Sequence, residues 1–435
     1  MRAYTKIFSI TALAALVASG CSSSSDSKSG TQSKEAETDL APAELNIYSS
    51  SGWTEEAFND RFGNAIRKQF PQHKIKYIQN KEGSRYEDLI ASNTPIDIVW
   101  ESIALFQNPL KYNMQYDMTE LIKKHNVKTS DIEPTLLASA RELSGGKLYA
   151  LPVVDNTMVM FYNKSIFDKF GVPYLKDGMN WDDIFEVSKK VTRSEGGIQY
   201  VGLGAPYSTF LRLNPFSVPY VEGEAPTINK NDKWKPIFDI FAKQATIPGY
   251  RELVSSEKKI PDVNSFVKGY VAMLATLSNQ YLTPGISDLN WDTVGMPTFK
   301  EAPDTGPQHY PTLFGVSATS KYKDQAMKVI QYLISEPYQL EVSKSGALPV
   351  LNKKEVVDAY GQDTAYKDKN LKAAFYKKYA PIPPVNAYDA TVQTVYFNTA
   401  KGVQLILGET DMNSMLRSME EESVKAIAEA KAKAK

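Results

Sequence analysis

The sequence has one cysteine, Cys21, and three histidines among its 435 residues. A single thiol leaves no internal disulfide, so stability has to come from the burial of a core. His73, His125 and His309 are scattered, and none of them neighbours a motif serine or another potential metal ligand. The sequence therefore indicates neither a catalytic triad nor a zinc pair, and we expect no metal and no cofactor.

The chain also lacks net charge and long apolar runs. Lys and Arg number 50, as do Asp and Glu, so there is no general positive field of the kind that holds nucleic acid. Beyond the first twenty residues no apolar run is long enough to span a bilayer. The segment after residue 43 is too long for one compact core, so two domains are expected.

The N-terminus has the order of a secretion signal. Arg2 and Lys6 precede an apolar run over 7–17, and the small residues at 18–20 lead directly to Cys21. This order predicts a signal peptide over 1–20. Small residues followed by cysteine resemble the lipobox of bacterial lipoproteins, which implies that Cys21 carries lipid and anchors the protein on the extracellular face of the cell membrane. The alternative is a free cysteine in an ordinary signal peptide.

Residues 21–43 are rich in serine and charge and contain almost no large apolar side chain. Such a segment cannot bury enough surface to fold. It is predicted to be a lipidated, disordered tether between the membrane and the body of the protein.

Strand and helix patterns alternate along the start of the body. Short alternating runs at 45–47 and 74–79 indicate strands, and the run at 97–100 indicates a buried strand. Between them, Phe58, Phe62 and Ile66 form one apolar helical stripe. This alternation predicts an α/β lobe with a mostly parallel sheet.

Several sequence blocks resemble the bacterial extracellular solute-binding proteins, family 1. They are GKLYALP at 146–152, FYNK at 161–164, NWDD at 180–183, FVKGYVAM at 266–273 and GALPV at 346–350. The blocks lie in the family's order and span most of the chain after the tether.

The resemblance implies a two-lobed α/β fold of the periplasmic-binding-protein type II, with a ligand cleft between the lobes and hinge crossings. The N-terminal lobe is expected over 44–153 plus 299–344, and the C-terminal lobe over 154–298 plus 345–435. Crossings are expected near 152–156, 296–299 and 343–348.

The resemblance also implies a function. Such proteins capture a solute, most often a sugar or oligosaccharide, and deliver it to the permease subunits of an ABC importer. We expect a monomer without enzyme activity, whose partners are the sugar, the permease, and membrane lipid through Cys21. Two other interpretations stay open: a carbohydrate-active enzyme, such as a glycoside hydrolase or lyase, and a sensor lipoprotein with the same fold.

Candidate site residues lie after strands or beside the family blocks, because ligands of α/β lobes meet the loops beyond the carboxyl ends of strands. Flat rings suit the apolar faces of sugars, and amides and carboxylates suit their hydroxyls. The predicted ligand-binding residues are Trp53, Trp100, Glu101, Asp155, Asn156, Tyr207, Asn279, Gln280, Tyr281, Asn386 and Tyr388. For Trp53 and Trp100 packing is an equally good explanation, and for Asp155 and Asn156 the alternative is hinge hydrogen bonding.

Overall fold

Two five-stranded sheets organise the protein, a computed structural model in which residues 40–433 are described. The predicted signal peptide, Cys21 and the tether up to residue 39 lie outside the described residues. The strands in chain order are β1 Glu44–Ser49, β2 Lys74–Gln79, β3 Ile98–Ser102, β4 Leu151–Val154, β5 Met158–Asn163, β6 Arg193–Glu195, β7 Ile198–Gly204, β8 Val221–Glu222, β9 Ala225–Pro226, β10 Val271–Leu277, β11 Trp291–Gly295, β12 Gly306–Gln308, β13 Thr312–Val316 and β14 Tyr379–Ala380.

Several helices begin at a residue whose side chain caps the first turn. For example, the Asn180 side chain accepts hydrogen bonds from the amides of Asp182 and Asp183 and so starts α8. The helices are α1 Glu55–Phe58, α2 Asn64–Gln69, α3 Tyr86–Ala91, α4 Gln107–Lys111, α5 Thr119–Lys124, α6 Pro134–Leu143, α7 Lys164–Phe170, α8 Trp181–Val191, α9 Tyr207–Arg212, α10 Trp234–Gln244, α11 Tyr250–Glu257, α12 Val263–Val267, α13 Lys323–Leu333, α14 Glu336–Lys344, α15 Lys354–Asp358, α16 Asp389–Tyr396, α17 Thr399–Leu407 and α18 Met412–Lys433. Over 40–433, no helix combines the length and apolar character that crossing a membrane requires.

The first sheet has the order β2-β1-β3-β13-β4. β1 is parallel to both β2 and β3, as the alternating sequence pattern predicts. β13 is antiparallel to β3 and to β4 and so runs against the other four strands; the expected mostly parallel sheet forms with this one exception. The reason is topological, because β13 enters this sheet only after the chain has passed through the second one.

The second sheet has the order β11-β5-β10-β7-β6. Only β10 and β7 pair in parallel, and β5 is antiparallel to both of its neighbours. The fold class is thus α/β with mixed sheets in both lobes.

Each sheet has its own hydrophobic core. The first core surrounds Trp100, Phe314 and the α13 stripe, and the second surrounds Phe161 and Trp234. The chain passes from the first sheet to the second between β4 and β5, and returns between β11 and β13. It passes over again after α14, so three segments connect the lobes.

The domain boundaries stay predictions, but some residues near them pack in the core of the lobe opposite to the one expected. Phe299 lies against Trp181 and Phe216 in the second core. Ala347, Val350 and Leu351 belong to the first core.

At the N-terminal boundary Ala43, expected in the tether, is buried. Its amide donates to His73 Nδ1 at 3.2 Å. The body therefore starts by residue 43.

Candidate ligand-binding site between the lobes

A cavity of about 220 Å³ lies where the two lobes meet. Its walls are built at the carboxyl ends of β1, β3, β4 and β10, the place where α/β lobes bind ligands. The lining residues are Ser51, Trp53, Arg61, Phe62, Trp100, Ser102, Val154, Asp155, Asn156, Leu277, Ser278, Asn279, Tyr310, Thr312, Gly346, Ala347 and Leu348.

The wall from the first lobe is aromatic. Trp53 packs edge-on against Trp100, with ring centroids 5.1 Å apart, and stacks on Phe62 at 6.4 Å. The Trp53 ring is 36% exposed, whereas Trp100 is 2% exposed and also stacks on Phe314 in the first core. Trp53 is therefore the partly exposed ring of this wall, and Trp100 packs against it from the core side.

The wall from the second lobe is polar. It begins where β10 ends, at Leu277, and continues through Ser278 and Asn279. The Ser278 hydroxyl donates to Asn156 Oδ1 at 2.6 Å, while Asn279 Oδ1 has no hydrogen-bond partner among the described residues. This wall offers amide and hydroxyl groups opposite the rings.

A buried charged cluster holds the crossing segments together. His309 Nδ1 lies 2.7 Å from Asp155 Oδ2 and His309 Nε2 lies 3.1 Å from Glu133 Oε2. The imidazole stacks on Tyr379 at 3.8 Å. Burial alone lowers the pKa of His309, but the two carboxylates raise it to about 9. His309 is thus a cation on the segment that returns to the first lobe. It pairs with Asp155 on the segment that leaves that lobe and with Glu133 at the start of α6.

This cluster does not form a metal site, since the two carboxylates contact opposite nitrogens of one ring and do not converge on a point. No group of three or more side chains suited to a metal ion occurs within 40–433.

A second cavity, of about 150 Å³, is lined by residues that neighbour those of the first cavity in the sequence. His309 and Ile103 line it, next in sequence to Tyr310 and Ser102 of the first cavity. In it, Arg212 donates to Gln393 Oε1 at 3.1 Å. Burial raises the pKa of Asp389 there to about 6.

A larger cavity of about 380 Å³ lies on the second lobe, around Trp181 and α10. Its charged rim is engaged internally, for example Lys243 and Lys300 with Asp182. Thr298, Phe299, Lys300 and Glu301 of the returning segment line it, but its other lining residues all come from the second lobe, so lobe closure would bring no first-lobe wall onto a molecule bound there. The interlobe cavity is therefore the stronger candidate.

The sequence matches one protein family over most of its body. Residues 50–340 match the family described as bacterial extracellular solute-binding protein. The chain belongs to this family. The likeness covers most of both sheets and the first two crossings of this solute-binding protein.

Relatives and solved structures agree with that assignment. An arabinooligosaccharide-binding protein of Bacillus subtilis (strain 168) is 31% identical over 196 residues, which are 42% of this chain and 40% of that protein. A sugar transporter from Rhizobium etli, in an open conformation, has TM-score 0.70 at 19% identity, covering 88% of this chain and 99% of that one. An ABC substrate-binding protein from Listeria monocytogenes in complex with cycloalternan has TM-score 0.63 at 18% identity, covering 89% of this chain and 99% of that one.

Five of the residues predicted from the sequence meet at the interlobe cavity of this solute-binding protein. They are Trp53, Trp100, Asp155, Asn156 and Asn279. Asp155 and Asn156 also make the hinge hydrogen bonds that were the alternative explanation for them.

Glu101 does not line the cavity. The expectation that a carboxylate at a strand end stays out of the interior is wrong, because Glu101 is 1% exposed. It accepts hydrogen bonds from the Ser50 amide at 2.8 Å and from the Ser49 and Tyr86 hydroxyls at 3.2 Å. Burial raises its pKa to about 7. Glu101 thus positions the turn that carries Ser51 and Trp53.

Tyr207 and Tyr281 are core residues rather than cavity residues. The Tyr207 ring is buried beside Phe238 and Phe241 in the second lobe. The Tyr281 hydroxyl donates to the Gly346 carbonyl at 2.6 Å. Gly346 has φ +84°, and an added Cβ would lie 2.6 Å from that hydroxyl, so only glycine fits this crossing.

The last three predicted residues lie outside the first cavity. Gln280 Oε1 accepts from the Thr283 hydroxyl at 2.8 Å. Asn386 donates to the Gly223 carbonyl at 2.9 Å, and its Oδ1 accepts the amide of Tyr388 at 3.0 Å. Their neighbours Val385 and Asp389 line the second cavity.

Arg61 and His309 were not predicted from the sequence. Arg61 lies in a helix two turns after Trp53, and His309 pairs with a residue 154 positions away. The sequence around His309 carries no signal of this pairing, because its partner is distant along the chain.

Proposed function

We propose that this protein captures an oligosaccharide in the interlobe cavity and delivers it to the membrane permease of an ABC importer. The observation that carries the proposal is the pairing of a partly exposed indole, Trp53, with a polar wall ending in Asn279 at the junction of the lobes. A ring stacks on the apolar face of a sugar, while amides bind its hydroxyl groups.

The ligands of the similar proteins point the same way. One protein is named for arabinooligosaccharides, one is a sugar transporter, and one holds cycloalternan. Because three crossings connect the lobes, closing them by hinge motion would bring both walls onto the ligand.

A thermal-shift screen against mono-, di- and oligosaccharides tests the proposal. A ligand present at a hundred times its Kd stabilises the folded state by about 2.7 kcal/mol, an easily measured shift. Calorimetry of a hit should give one-to-one stoichiometry. A chain that binds amino acids or peptides and no saccharide would contradict the carbohydrate assignment.

The same ligand should be recovered intact, since we propose binding without turnover. Asp155 and Glu133, the carboxylates beside the crossings, both contact His309 and are not arranged as a catalytic pair across the cavity. Chromatography of ligand recovered after prolonged incubation checks this point. Cleaved sugar would assign the chain to the carbohydrate-active enzymes.

The anchor at Cys21 is a separate part of the proposal. A lipid on this residue would hold the protein beside its permease on the outer face of the membrane. In the Cys21→Ala variant, labelling by a radioactive fatty acid should disappear. Labelling that persists in the variant would contradict the proposed anchor.

A separate experiment distinguishes a transporter subunit from a sensor. Unchanged uptake of the bound sugar by cells that lack this protein would favour the sensor.

A further inference from the structure

Arg61 reaches the interlobe cavity from an irregular turn of the helix that follows β1. Residues Asn59–Gly63 form a π-helical turn between α1 and α2. A Cβ on Gly63 would meet Asn59 Oδ1 at 2.5 Å and the Phe58 ring at 2.9 Å. Such turns often occur at functional sites, and this one places Arg61 and Phe62 together on the cavity wall.

The guanidinium of Arg61 has no partner of its own within 40–433. It is half-buried, no carboxylate lies within 4.0 Å of it, and it makes no side-chain hydrogen bond among the described residues. Arg67, four residues after this turn, differs because it donates to Asn59 Oδ1 at 2.7 Å and to the Ile75 carbonyl. A guanidinium stays charged and offers five donors, so Arg61 brings an unused cation to the cavity.

The other charged side chain that lines this cavity is already engaged, because Asp155 pairs with His309. The charge of Arg61 also reaches across the lobe junction. Burial raises the pKa of Tyr281 and of Tyr360, and the Arg61 cation offsets part of both increases. Arg61 is therefore a first-lobe cation close to second-lobe residues, and a ligand between the lobes would meet it.

We infer that the solute carries an anionic group, the carboxylate of a uronic acid, which Arg61 binds while the sugar ring lies on Trp53. This inference rests on the proposed carbohydrate function. A planar guanidinium matches a carboxylate with two parallel hydrogen bonds. Phe62 and Trp53 line the same cavity, and apolar walls reduce competition from water, which strengthens such a contact.

Calorimetry on the purified full chain tests the inference with matched pairs of ligands. The probes are uronate-containing oligosaccharides from pectin and from glucuronoxylan, each beside its carboxyl-reduced neutral form, plus neutral arabinan and maltose oligosaccharides and a phosphorylated disaccharide. The best uronate should bind at least about tenfold more tightly than its reduced form, because a charged hydrogen-bonded contact is worth about that factor or more.

Variants identify the residue responsible. Arg61→Gln should abolish the preference for the acidic form and leave affinity for the reduced form within about twofold. Arg61→Lys should keep part of the preference, since it retains charge but not the planar fork. Lys68→Gln, an exposed site on the same helix, removes the same charge without touching the cavity and should change nothing.

The outcomes separate the inference from the function on which it rests. Equal affinity for acidic and reduced forms, a preference that survives Arg61→Gln, or tighter binding of the phosphorylated disaccharide would overturn the uronate assignment. If Arg61→Gln did not fold, the comparison of acidic and reduced forms on the unaltered chain would still decide. Binding of neutral oligosaccharides alone would leave the transport proposal standing, whereas binding of no saccharide would overturn both.

Discussion

The two walls of the interlobe cavity use aromatic residues in opposite ways. On the first lobe, Trp53 is 36% exposed and rests on Phe62 and Trp100, so its ring face is open to a ligand. On the second lobe, Tyr207 and Tyr281 are 2% and 3% exposed, and the wall itself is made of Ser278 and Asn279. The partly exposed ring thus comes from the first lobe and the Ser278 and Asn279 groups come from the second, so a solute that contacts both walls bridges the lobes.

The largest expected effect would come from removing a second-lobe ring. Tyr207→Ala leaves a cavity in the core between α9 and α10 and should lower the free energy of unfolding by about 3–5 kcal/mol. Affinity at temperatures where the variant stays folded should be unchanged, because Tyr207 does not line the cavity. Urea unfolding and calorimetry measure the two quantities. A stable variant with weakened binding would restore Tyr207 to the site.

Next in size is the effect of the buried charged cluster around His309, which holds the crossing segments together. The pKa of His309 is raised to about 9 in the folded protein, from an ordinary value near 6.5. The resulting stabilisation is therefore complete below about pH 6.5 and is lost as the pH rises through about 9. His309→Gln should cost about 3 kcal/mol at pH 6, where it leaves buried carboxylates unpaired.

Urea unfolding of both proteins from pH 6 to pH 10 measures this effect. The difference between them should shrink as the pH rises. A difference that stays constant across this range would mean that His309 is neutral in the fold.

A smaller effect, now on binding, is expected for the exposed ring. Trp53→Ala should weaken the binding of the saccharide by about 1–3 kcal/mol, the range found when a ring stacked on a nucleic-acid base is removed. Stability should fall less than on loss of a fully buried indole, since Trp53 is 36% exposed. Trp234→Ala serves as a contrast, because that indole is fully buried in the second core and its loss should act on stability. Unchanged affinity in Trp53→Ala would place the ligand elsewhere.

The smallest effect belongs to the polar wall. Asn279→Ala should weaken binding by about 0.5–1.5 kcal/mol, the net value of an ordinary hydrogen bond. Gln280→Ala, next in sequence but outside the cavity, is the matched control and should bind as the unaltered chain does. If Gln280→Ala lost more affinity than Asn279→Ala, Gln280 and not Asn279 would be the ligand-binding residue of this loop.

The sequence predicted the parts of this arrangement that depend on local order. Trp53 comes directly after β1, and Asn156 lies in the first crossing, so position along the chain was enough to place both at the cavity. Family likeness extended this to Asn279. The parallel pairing of β1, β2 and β3 was likewise predictable from alternating apolar patterns.

The other features of the site depend on where side chains point, and spacing along the sequence does not give this. Tyr207 and Tyr281 also come after strands, but their rings turn inward, one against Phe241 and the other toward the Gly346 carbonyl. Glu101 is buried because the turn at Ser49 and Ser50 supplies hydrogen bonds to it. Arg61 reaches the cavity through a π turn, which no apolar periodicity indicates.

The most direct test of the account is a crystal structure of the chain with the tightest-binding oligosaccharide from the screen. The account predicts a sugar ring stacked on Trp53, with a hydroxyl within hydrogen-bonding distance of Asn279 and both lobes in contact with the ligand. A saccharide bound in the cavity beside Trp181 on the second lobe, with the space between Trp53 and Asn279 free of ligand, would contradict it.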